Sequence, residues 1–208
     1  MNKKFVISFL ILFLFVQFYS LTEYAFGVTD QVVVTLDVDS GITISDGAAV
    51  TMAPHISITA NGSIGSSTWT VITNGASGYS LSVHDSTDPA LKSATDSFAN
   101  YTEATPGTPE VWSVPAASKE FGYSAYGTDT STATWGTGTS CGSAGAPTGT
   151  QKYVGFAATP TDKIIATRAT VTPTTGITTT ICFAAEQDTV FAAAGTYTAT
   201  ITGTAVTL

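Results

Sequence analysis

The sequence predicts an all-β fold, an antiparallel two-sheet β-sandwich with long Gly/Thr-rich loops. Three observations point that way. Apolar and polar residues alternate with a period of two through most of the chain, as they do along a half-buried strand. Clusters of Gly, Asn, Asp and Pro interrupt the alternation every few residues, which leaves little room for helices. Threonine takes 38 positions of residues 28–208. It is β-branched, fits a pleated strand, and keeps an exposed strand face polar without adding charge.

The chain opens on Met1-Asn2-Lys3-Lys4, a short basic stretch, followed by an apolar run over residues 5–16 broken only by Ser8. Ala25-Phe26-Gly27 sets small residues where a signal peptidase reads, so residues 1–27 are expected to be a cleaved signal peptide. The run is shorter than the about 20 residues that a spanning helix needs, and no membrane attachment is expected after cleavage. Residues 28–208 are read as a single sandwich domain, expected outside the cell or on its surface.

In that domain Val32, Val34, Leu36 and Val38 alternate with Val33, Thr35, Asp37 and Asp39, which predicts a half-buried strand pairing within its own domain. Ile42 and Ile44 continue in a short strand, and Ile56, Ile58 and Ala60 form another apolar row closed by Asn61-Gly62. Trp69, Val71 and Thr73 then return as Tyr79, Leu81 and Val83 across Asn74-Gly75-Ala76-Ser77-Gly78, which reads as the clearest hairpin of the chain. Asp88-Pro89 opens one expected short helix through Ala94, and residues 103–109 are expected to be a surface loop. Further strands are expected at 111–114, 120–126, 153–157, 163–167, 177–185 and 195–208. Gly203 precedes a change of apolar parity, which predicts a bulge or bend. Residues 127–149, rich in Gly, Thr, Ser and Ala, are expected to form a long loop.

Without Lys3, Lys4 and Glu23, five basic and fourteen acidic residues remain, a net charge of −9. Such a chain repels phosphate backbones, and no basic stripe is present, so nucleic acid is not expected as a partner. Cys141 and Cys182 are an even count in an exported chain, which predicts one disulfide.

Several segments carry a resemblance. Thr68-Trp69-Thr70-Val71 with Gly78-Tyr79-Ser80-Leu81-Ser82-Val83, Phe121-Gly122-Tyr123 leading to Trp135-Gly136, and Gly195-Thr196-Tyr197 are similar to stretches of secreted pilin-type β-sandwiches. Together these stretches resemble the spore coat protein U-like domain, although no cysteine precedes Cys141 where that family carries more. The resemblance implies an Ig-like or pilin-like sandwich serving as a coat or appendage component, assembled by lending a strand to a neighbour.

Gly138-Thr139-Ser140-Cys141-Gly142 fits a nucleophile-elbow pattern, but the residues after it cannot hold the helix which that mechanism requires. Asp37 and Asp39 fall on one face of an alternating strand, and Asp46 stands in a turn, so no metal site is expected. No catalytic residue and no cofactor are expected. The leading reading is a non-catalytic surface or structural protein whose partners are copies of itself or cell-surface glycans. The alternative is a carbohydrate-binding module using Trp135 and Tyr126, which sit in or beside the glycine-rich segment, as stacking faces. A secreted hydrolase is a distant third.

Overall fold

The computed structural model describes residues 30–45, 47–157 and 161–208. The expected signal peptide and Asp46 lie outside the described residues. Residues 39–208 form one compact unit, and the described part of the segment before it, residues 30–38, is treated by itself.

The compact unit is almost entirely β. A five-stranded sheet runs in the order β1 (Ile42–Ile44), β2 (Gly62–Thr73), β11 (Ile177–Gln187), β6 (Lys119–Gly127) and β4 (Ala99–Asn100). A three-stranded sheet holds β10 (Lys163–Arg168), β3 (Tyr79–Asp85) and β12 (Ile201–Thr207). Two small ribbons complete the set, β5 (Glu110–Val111) with β9 (Lys152–Tyr153), and β7 (Gly142–Ser143) with β8 (Ala146–Pro147). All pairs are antiparallel except β4 with β6.

Alternation decides what meets what. Trp69 and Val71 of β2, Phe121, Tyr123 and Ala125 of β6, and Ile181, Phe183 and Ala185 of β11 meet Tyr79, Leu81, Val83 and Ile165 of the smaller sheet in one core. The other face of β6 and β11 is covered as well. Tyr101, Tyr153 and Cys182 form a second cluster there with Trp112, whose ring stacks on Tyr101 at 4.5 Å. Gly122 allows this layer to close, since a Cβ there would lie 2.8 Å from Tyr101 Cβ.

The predicted hairpin is a correction. β2 and β3 follow one another yet belong to different sheets. Both bury side chains along their length, and a five-residue connection, unlike a two-residue turn, is long enough to carry the chain across the core. Gly78 permits the crossing with φ of +77°, where a Cβ would fall 2.0 Å from the Arg168 carbonyl. The short helix expected after Asp88 is absent as well. Ala90 and Leu91 are drawn into the core, and their backbone is satisfied elsewhere: Ala90 N–H by Asn100 Oδ1 at 3.0 Å, and the Leu91 carbonyl by Phe98 N–H at 3.0 Å.

The row of Ile56, Ile58 and Ala60 forms no strand, and Ile58 is exposed. The terminal strand begins only at Ile201, and Gly203 marks no bulge: β12 pairs with β3 in unbroken register, Gly203 opposite Val83. Its missing side chain instead makes room for Trp69, whose ring a Cβ would meet at 2.9 Å. Val206, after the parity change, therefore lies on the opposite face from Ala205 and is half exposed.

Candidate functional site

The disulfide is present. Cys141 and Cys182 join with a Cα separation of 5.3 Å, and Cys182 is fully buried in the outer layer over β11. The bridge consumes the thiol within the nucleophile-like pattern, and residues 142–147 form a small ribbon in place of the helix that chemistry would need.

Residues 127–149 hold more structure than expected. One helical turn, α1 (Thr132–Trp135), is capped by Ser131, whose Oγ accepts the Thr134 N–H at 3.4 Å, and ends at Gly136 with φ of +88°. This turn drives Trp135 inward to 1 % exposure, with its ring 5.7 Å from Tyr123. Trp135 therefore offers no face to a ligand, because a large ring gains most by leaving water and the core beside β6 accepts it. Tyr126 is half-buried against the disulfide layer. The stacking pair expected for a sugar is not assembled.

A groove of about 690 Å³ runs beside α1, lined by Thr128, Thr130, Ser131, Thr134, Asp162 and Lys163. Its charged groups are occupied by structure. Asp129 accepts from Tyr79 Oη at 2.9 Å and from Arg168 Nη1 at 3.2 Å. Burial, reinforced by that carboxylate, pushes the Tyr79 hydroxyl well above its ordinary value. Lys163 Nζ donates to the Gly107 carbonyl at 2.6 Å, and Asp162 pairs with His84 Nδ1 at 2.7 Å.

Glu103, Glu110 and Glu120 are likewise engaged by hydrogen bonds within the fold. Glu103 accepts from Gly155 N–H and from Gly107 N–H at 3.0 Å. Glu110 accepts from Tyr101 Oη at 3.2 Å and Ala104 N–H at 3.1 Å, and burial pushes the Tyr101 hydroxyl up to about 12. Glu120, buried at the start of β6, accepts from Thr102 N–H at 3.4 Å, and burial raises its carboxyl. Among the described residues, no group of His, Cys, Asp or Glu is arranged to hold a metal ion.

One acidic group stands apart. Asp85 ends β3 at 1 % exposure, and its Oδ2 meets no hydrogen-bond partner. Burial raises its carboxyl above the ordinary carboxylate value, and Asp88 adds to the effect. A raised acid favours the folded state while protonated. Its contribution is full below the unfolded value near 3.8 and is lost as pH rises through the folded one. Asp85→Asn is therefore expected to raise the melting temperature at pH 7, with the gain shrinking as pH approaches 4. Thermal melts of both proteins across pH 4–8 check this, and an equal shift at every pH would assign the effect to something other than the charge.

Two features remain, the 30–38 segment taken by itself and an open strand edge of the compact unit. Residues 30–38 carry no secondary structure, which corrects the half-buried strand that their alternation predicts. Val32 is 83 %, Val34 86 %, Leu36 83 % and Val38 74 % exposed. Alternation marks a segment as able to pair, without supplying an edge to pair with. In the compact unit β12 pairs only with β3, and among the described residues its outer edge has no partner strand. Ile42, Ile44, Val50, Met52, Ile56, Ile201 and Ala205 all pack on the core yet stay partly open to solvent. Sequence reasoning missed this edge because strand order is not written in alternation.

No family model, no curated protein and no solved structure matches this chain. No helix among the described residues is long and apolar enough to cross a membrane.

Proposed function

We propose that this chain is an exported, non-catalytic surface protein whose two larger sheets form a β-sandwich, and that copies assemble when residues 30–38 of one pair with the free β12 edge of another. The observation that carries this reading is the exposure of four alternating aliphatic side chains in the 30–38 segment. Leaving them in water forgoes about 1.5–3 kcal/mol per side chain relative to burial. Nine extended residues reach about 30 Å, enough to run the length of the seven-residue β12. Docked as a strand, the segment turns its Val32, Val34, Leu36 and Val38 row to the half-covered core and leaves Asp37 toward solvent. The disulfide accords with an oxidising exterior.

The test uses the protein without residues 1–27. Intact protein is expected to form heat-resistant oligomers in size-exclusion chromatography and unheated gels, and excess peptide of residues 28–39 is expected to dissolve them. Leu36→Asp is expected to leave monomers. An intact chain that stays monomeric, and whose melting temperature falls when residues 28–38 are removed, would show that the segment serves its own domain.

A further inference from the structure

Assembly between copies requires that the segment not fold back on its own edge, and a bracket of hydrogen bonds holds the residues that join the segment to β1. Asn74 follows the last residue of β2. Its Oδ1 accepts the Gly41 N–H at 2.6 Å, while its Nδ2 donates to the Asp39 carbonyl at 2.8 Å. In an extended chain, the carbonyl of one residue and the N–H two residues later lie on the same edge. The Asn74 amide thus pairs with residues 39–41 as a neighbouring strand would. The Gly41 carbonyl is held as well, by Thr73 Oγ1 at 2.8 Å and by the Asn74 N–H at 3.3 Å. Ile42 then enters the β1–β2 ladder opposite Thr73. The side chain of Asn74 prolongs that ladder where the backbone of residues 74–78 turns away to the other sheet.

Position gives this bracket its consequence. β1 begins at the 74–78 connection, and β12 finishes there, with Thr207 opposite Tyr79 and Leu208 N–H on the Gly78 carbonyl at 3.2 Å. For the preceding residues to lie along the β12 edge of the same chain, they would have to double back beside that connection, at residues 39–41. Those are the residues that Asn74 holds extended.

We propose that Asn74 is a positioning residue for assembly: by keeping residues 39–41 in line with β1, it disfavours insertion of residues 30–38 into their own chain and so directs them to a second copy. This rests on the assembly reading above and adds to it the device that chooses between self and neighbour.

The experiment compares wild type and Asn74→Ala, both without residues 1–27, by light scattering after chromatography. Loss of two hydrogen bonds is expected to raise the ratio of self-closed monomer to oligomer about tenfold. A flexible Gly-Ser-Gly insertion between Val38 and Asp39, which leaves the bracket intact but permits reversal before it, is expected to have the same effect. One control separates positioning from plain stability. In protein lacking residues 28–38, Asn74→Ala is expected to lower the melting temperature by a few degrees, because the Asp39 and Gly41 bonds are lost there as well, yet to leave the affinity for the 28–39 peptide unchanged. An unchanged oligomer fraction in Asn74→Ala, or a matching fall in peptide affinity, overturns the proposal while leaving assembly standing. A monomeric wild type overturns both.

Discussion

Replacing Cys141 and Cys182 together by alanine is expected to lower the unfolding free energy by about 4 kcal/mol. The bridge spans a sequence separation of 41 residues, and closing a loop of that length removes roughly this much entropy from the unfolded chain. The local consequences are equally specific. Cys141 is tied to the outer face of β11 by the bridge to the buried Cys182, and its carbonyl accepts from Tyr153 Oη at 3.1 Å. Tyr153 and Trp112 meet at 5.4 Å between ring centroids, so release of residues 137–149 should loosen that aromatic layer first. The larger core contains neither cysteine and is expected to survive. Urea unfolding of the oxidised protein and of the double variant measures the difference. A loss below about 1 kcal/mol would mean that loop closure contributes little here.

The all-β class and the disulfide were legible in the sequence because each rests on local signs. Period-two rows such as Phe121, Tyr123 and Ala125 identify both a strand and its buried face. Placement was harder. Residues 32–38 alternate as well as any true strand here, yet they remain outside both sheets. β2 and β3 flank an ideal-looking connection, yet they belong to separate sheets and send Trp69 and Tyr79 into one shared core. In both cases the missing information was the identity of the neighbouring strand, a long-range choice set by packing. The burial of Trp135 is hidden for another reason. The glycines and threonines around it suggest a mobile loop, but burying one indole outweighs the weak helix propensity of a four-residue turn. The bracket at Asn74 is similarly hidden, because Asn-Gly reads only as a turn until residues 39–41 are seen beside it.

Trp69→Ala is expected to be as damaging as loss of the disulfide, at about 3–5 kcal/mol. Trp69 lies at the centre of β2 with 7 % of its surface exposed, and two glycines frame its ring. A Cβ on Gly47 would lie 2.8 Å from the indole Nε1, and one on Gly203 would lie 2.9 Å from the ring. Both contacts are shorter than packed carbon and nitrogen atoms tolerate, so the glycines exist to admit the ring. The indole in turn fills what their missing side chains leave open. Removing it opens a cavity beside β12, the strand proposed to receive a neighbour's segment, and that edge should accept the 28–39 peptide more weakly. Gly203→Ala attacks the same contact from the other side and is expected to cost about 1–3 kcal/mol through overpacking. The two changes should not add. In the double variant the new methyl enters space that the indole has vacated, so the total loss should fall short of the sum by about 1 kcal/mol or more. Chemical denaturation of the two single variants and the double variant closes the cycle. Strict additivity would show that Trp69 and Gly203 are not packed against one another as described.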